Sequence, residues 1–245
     1  MFPRRHPAIA LWIFVFGCFG LAIEVWTGPP PEPEFVLTED NRCVERAART
    51  AVNRSLAVIG HGVEVSEVEV KPIGEYAAAQ YSGGFNSVTF SNEYFPSSDQ
   101  ILQTAAHECV HAIFDQARLS RWTSDPAWDC RLVVEEVAAE VLGAHIAGRV
   151  MTLRGGDGEA LTRRLVRMFR NDCDLSAPGG WRRRIWFYAT RFEPERRVPD
   201  LLYMTAIHHG PVEMVDEMDR ICLEHFDPWD AAHAIADRFI EPIGE

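Results

Sequence analysis

The chain has 245 residues, 47% of them apolar and 24% charged, a globular composition that excludes a disordered, collagen-like or repeat-array protein. Its 36 acidic side chains outnumber 24 basic ones for a formal net charge of −12, so most of the surface repels phosphate and no nucleic-acid partner is expected. The length suits one compact domain with a short appendage.

The first segment differs from the rest. Arg4, Arg5 and His6 precede an apolar run over 8–23, which Glu24 interrupts before Val25 and Trp26. Such a run lies between a signal-peptide core and a full membrane span of about 20 residues. With no small-x-small cleavage pattern after it, it predicts a signal anchor over 1–27 that meets the membrane through residues 8–26. The cationic end then stays inside, and the body is exported to the periplasmic or extracellular face. Secretion after cleavage is the alternative. Gly28-Pro-Pro-Pro-Glu-Pro-Glu34 is stiff and unable to join a helix, so 28–37 reads as a spacer and 38–245 as the folded domain.

A helical pattern over 38–59 is broken by Gly60-His61-Gly62. Val63, Val65, Val68 and Val70 predict a strand with an irregularity near Ser66 and Glu67. Two more short strands are expected over 76–81 and 85–90, around Ser82-Gly83-Gly84. The cluster Ser97-Ser98-Asp99 caps a helix reaching about Leu119. A long helix is expected over 130–153, then helices over 158–170, 181–192, 212–225 and 229–240. Helix, small sheet and then helices only make an α+β domain, with an N-terminal helix and small mixed sheet before a mainly helical C-terminal half. Arginines 163, 164, 167 and 170 read as a solvated helix face.

Of the six cysteines, Cys18 lies in the apolar run. That leaves Cys43, Cys109, Cys130, Cys173 and Cys222 in the body, an odd number that keeps at least one thiol unpaired. No C-x-x-C spacing suggests a thiolate metal site.

His107-Glu108-Cys109-Val110-His111 is an H-E-x-x-H motif. Residues four apart on a helix lie one turn apart on one face, so two imidazoles can share a Zn²⁺, with Glu108 beside them to act on a water. On a helical wheel Thr104, His107, Glu108, His111 and Asp115 share one sector, while Leu102, Ala106, Cys109, Val110, Ile113 and Ala117 lie opposite. Zinc needs a third protein ligand and an open fourth position. The long helix offers Glu135, Glu136 and Glu140. Glu136 and Glu140 share a side with Ala139, Gly143 and Ala147, whose small size lets another helix come close. Glu135 shares its side with Leu142 and Ile146. Glu136 is therefore the expected ligand, Glu140 an acceptor for a ligand histidine, and Glu135 the alternative ligand.

HECVH followed by Glu136-x-x-Ala139-Glu140 resembles the gluzincin group of zinc metallopeptidases. The group's second helix carries E-x-x-x-D or E-x-x-A-D, and Glu140 stands here where aspartate is usual. The resemblance covers roughly 85–150. It implies a zincin-like fold, zinc on His107, His111 and Glu136, and Glu108 as general base in the hydrolysis of a peptide or protein substrate. By position it makes Ser87–Ser91 the strand whose edge binds extended substrate. Tyr203, His208 and His209 are candidate donors to an oxyanion. The alternative is a catalytically inactive zincin-like domain that keeps zinc for structure or binds a partner.

Overall fold

The structure, a computed structural model, describes residues 39–73, 78–92, 97–119, 128–173 and 211–240. The chain divides into two units, Met1–Val36 and Leu37–Glu245, and every described residue belongs to the second. That unit is α+β and mostly helical. In chain order its described elements are α1 (Glu39–Ile59), β1 (Glu67–Lys71), β2 (Ala79–Ser82), β3 (Ser87–Ser91), α2 (Ser98–Gln116), α3 (Trp128–Leu153), α4 (Gly158–Cys173), α5 (Pro211–Glu224) and α6 (Pro228–Phe239). The helix expected over 181–192 lies outside the described residues, as does the spacer over 28–37.

The three strands form one mixed sheet in the order β1-β3-β2. β1 pairs with β3 in parallel, with Val68 opposite Val88 and Val70 opposite Phe90. β2 pairs with β3 antiparallel, with Tyr81 opposite Val88. The expectation of a strand edge at Ser87–Ser91 is corrected by this order. β3 is the central strand, its backbone paired on both sides, and β2 is the edge strand that packs on α2. The valine alternation of 63–70 also begins later as a strand than expected, at Glu67. Just before it, the Ser66 hydroxyl donates to the Phe85 and Asn86 carbonyls, and the Ser66 N–H donates to the Asn86 carbonyl.

The core lies where α1, the sheet and α2 meet α3. Val68, Val70, Val88 and Phe90 project from the sheet onto it, joined by Val52, Val110, Ile113 and Phe114. α3 runs through the middle and packs on α1, α2, α4, α5 and α6. That explains its sequence: between Val134 and Val150 most side chains are buried, and apolar residues spread around the helix except at Glu135, Glu136, Glu140, His145 and Arg149. Two ties lock α1 and α2 to the sheet region. Arg49 donates to the Val68 carbonyl at 2.8 Å. The Gln116 amide accepts from the Glu64 N–H at 3.0 Å and donates to the Glu64 carbonyl at 2.7 Å.

Among the described residues no helix is long and apolar enough to cross a membrane. This corrects the expectation of a membrane-anchored, exported chain. Residues 8–26, on which it rested, lie outside the described residues, and no described element takes their role.

Candidate metal centre

α2 begins at Ser97, whose hydroxyl accepts from the Gln100 N–H at 3.3 Å, with Asp99 in the first turn where the helix dipole favours an anion. Its apolar side sinks into the core: Leu102, Ala106, Cys109, Val110 and Ile113 are all buried. Cys109 is thus a packing residue, with its thiol over the Val52 carbonyl and burial pushing its pKa well up. Cys43, Cys109 and Cys222 are free thiols.

The other side of α2 meets α3. A Cβ built on Gly143 would lie 3.1 Å from both Cα and N of His107, so the two helices approach backbone to backbone at the motif. Gly143, one of the small residues on that side, gives the close approach that the sequence suggested. One turn apart on α2, His107 and His111 have their Nε2 atoms 3.2 Å from one another. Glu136 Oε2 lies 3.6 Å from the first and 3.8 Å from the second. The three ligand atoms fall within 4.8 Å of one another, and among the described residues this is the group that could hold a metal ion.

The donor set can be tested against zinc. Bonds of about 2.0–2.2 Å in a tetrahedron separate neighbouring donors by about 3.3–3.6 Å. The observed 3.2, 3.6 and 3.8 Å bracket that span, so small side-chain adjustments admit the ion. Two imidazoles and one carboxylate also match the donor chemistry of catalytic zinc sites, which leave one position open.

The remaining carboxylates arrange themselves around these three. His111 Nδ1 donates to Glu135 Oε1 at 2.6 Å, and His107 Nδ1 faces Glu140 Oε1 at 3.9 Å. Burial disfavours the imidazolium at both histidines, but the surrounding carboxylates outweigh it. His107 is raised chiefly by Glu136, Glu140 and Glu108, and His111 is raised to about 10 by Glu136, Glu135 and Glu108. Glu108 is only 5% exposed. Its burial, reinforced by the Glu136 charge, lifts its carboxyl above the ordinary range, against the pull of both histidines and of a hydrogen bond from the Tyr81 backbone.

The structure therefore brings together His107, Glu108, His111, Glu136, Glu135 and Glu140. Tyr203, His208 and His209 lie outside the described residues. Glu135, expected as the alternative ligand on the side of Leu142 and Ile146, reaches His111 Nδ1. Tyr81 of β2 is an addition to the residues expected: its hydroxyl lies 3.0 Å from Asn86 Oδ1 and 3.1 Å from Asp115 Oδ2, tying the edge strand to the motif helix. Burial, with Asp115 adding to it, pushes the Tyr81 phenol up to about 12. Asp115, one turn beyond His111 on the same polar sector, was the available hint. No family model matches the chain, and no match is found among curated proteins or solved structures.

Proposed function

We propose that the chain is a zinc-dependent metallopeptidase with a zincin-like fold of the gluzincin kind, hydrolysing peptide bonds in a peptide or protein substrate. One observation carries the reading: the Nε2 atoms of His107 and His111 and Oε2 of Glu136 converge at zinc-ligand separations from two different helices. His107, His111 and Glu136 hold the ion. When bound, zinc supplies a Lewis acid that polarises the scissile carbonyl and acidifies water. Glu108, the residue after the first ligand, takes the proton of the attacking water and passes it to the leaving amine. The packing of α2 on α3 holds these groups in register and keeps most water away, which strengthens each electrostatic contact.

The test is Glu108→Gln in the purified full chain, measured with an unfolded protein substrate and by metal analysis. Cleavage falls by about 100-fold or more while zinc stays bound. Undiminished cleavage in that variant removes Glu108 from the mechanism. The depth of Glu108 favours one other reading, a zinc-holding domain that binds a partner without cleaving. That reading gains if the zinc-loaded wild-type chain cleaves nothing.

A further inference from the structure

We propose that Glu135 is a positioning residue, which fixes the ring of His111 so that Nε2 is presented to the metal. The proposal rests on the metal reading above and assigns a role to the one carboxylate that reading leaves unused on His111.

A neutral imidazole carries its proton on one nitrogen and a lone pair on the other, and only the lone pair binds a metal. His111 Nδ1 stands 2.6 Å from Glu135 Oε1, a short charge-assisted contact. The proton therefore belongs on Nδ1, and the lone pair belongs on Nε2. That nitrogen is the one facing His107 Nε2 at 3.2 Å and Glu136 Oε2 at 3.8 Å. The same hydrogen bond sets the plane of the ring, because the acceptor lies on a helix and the donor on another.

The two histidines are held unequally. His107 Nδ1 is 3.9 Å from Glu140 Oε1, beyond hydrogen-bond range, so Glu140 holds the motif's first imidazole less tightly than Glu135 holds the second. His111 meets consecutive residues of α3 at its two nitrogens: Nδ1 is hydrogen-bonded to Glu135, and Nε2 faces Glu136 Oε2 at 3.8 Å across the metal position. Successive helical residues point about 100° apart, which is why one can face the metal position while its neighbour reaches past the ring. Glu135 is 14% exposed and His111 13%, so water competes little for this bond.

The experiment measures zinc affinity of the full chain by competition with a chromophoric chelator. It compares wild type with Glu135→Ala, Glu135→Met, Glu135→Gln and Glu136→Ala, the apo forms being checked for equal thermal unfolding. Removing an acceptor behind a ligand histidine costs about 10–100-fold in affinity. Glu135→Ala and Glu135→Met show that loss, and Glu136→Ala a larger one. Glu135→Gln recovers most of the affinity, since its amide oxygen still accepts from Nδ1–H; a purely structural role gives no such split between Met and Gln, which have similar volumes. Wild-type affinity in Glu135→Met overturns the proposal, as does a Gln variant as weak as Met. A loss in Glu135→Ala equal to that in Glu136→Ala makes Glu135 itself a ligand and overturns it too. A wild-type chain that binds no zinc defeats the metal reading itself, before any variant is compared.

Discussion

Gly143 shows how one position governs the metal centre without touching a ligand atom. Its missing Cβ is what allows His107 on α2 and Glu136 on α3 to share a site, since a Cβ would stand 3.1 Å from the His107 backbone. Gly143→Ala gains about 1 kcal/mol of helix propensity, comparable to the packing cost, so that variant stays near wild-type stability. Gly143→Val adds two methyl groups against backbone that cannot yield, and overpacking of that kind costs about 1–3 kcal/mol. Denaturant unfolding of the apo chain should show this loss for Val and little for Ala. Zinc affinity should fall with Val as well, because the helices carrying the ligands are driven apart. The motif itself was legible in sequence because HECVH is a one-helix pattern whose spacing is its chemistry. The choice between Glu135 and Glu136 depends on where a second helix crosses, so the wheel placed Glu136 with Gly143 yet put Glu135 with the core.

At the scale of elements, the α3–α4 corner is closed by two glycines used for space. A Cβ on Gly158 would lie 2.0 Å from the Gly148 carbonyl oxygen and 2.1 Å from Thr152 Oγ1. A Cβ on Gly148 would meet Thr162 Oγ1, whose hydroxyl lies within bonding distance of the Gly158 and Ala144 carbonyls. Gly158→Ala must therefore displace backbone at the first residue of α4, a cost of about 1–3 kcal/mol. At about 2–4 °C per kcal/mol for a chain of this size, thermal unfolding moves down by several degrees. Zinc affinity of the folded form stays at the wild-type value, which separates this corner from the metal centre. The existence of these helices was readable because apolar periodicity and glycine punctuation are local signals. The sheet was not. Ser87–Ser91 announces a strand through Val88 and Phe90, but its central place depends on parallel pairing with residues twenty positions earlier, which no local pattern encodes. Its Ser87, Thr89 and Ser91 are buried as well, so the usual reading of polar residues as an outer face fails.

Over the whole molecule, the excess of acid over base is organised by contacts between helices distant in sequence. The arginine row of α4 is a solvated face, as expected, and carries two exposed pairs to other helices: Arg164 with Asp99 at the start of α2, and Arg170 with two bonds to Asp216 of α5. Among the described residues, a tie between positions far apart in sequence joins the turn after α1 to the start of α6. His61, at φ +55°, stacks on Trp229 with ring centres 5.4 Å apart, and its Nε2 lies 2.8 Å from Asp227 Oδ2. Asp227 also caps α6 by accepting from the Trp229 N–H at 2.8 Å. Burial pushes the Asp227 carboxyl up, but His61 and the backbone N–H groups of Trp229 and Asp230 outweigh it and hold the pKa below its ordinary value. A carboxyl depressed in the folded state stabilises above its unfolded pKa of about 3.9 and loses that contribution as pH falls through the folded value. Both partners are about 40% exposed, so solvent limits the pair to at most about 1 kcal/mol. Asp227→Asn keeps a capping side chain of nearly equal quality and removes only the charge. Urea unfolding should therefore find the variant less stable than wild type at pH 7 by up to about 1 kcal/mol, with the gap closing as pH falls below about 3.9 and the wild-type carboxyl is protonated. A gap that persists unchanged once that carboxyl is protonated would show that shape, not charge, holds α6 to the turn after α1.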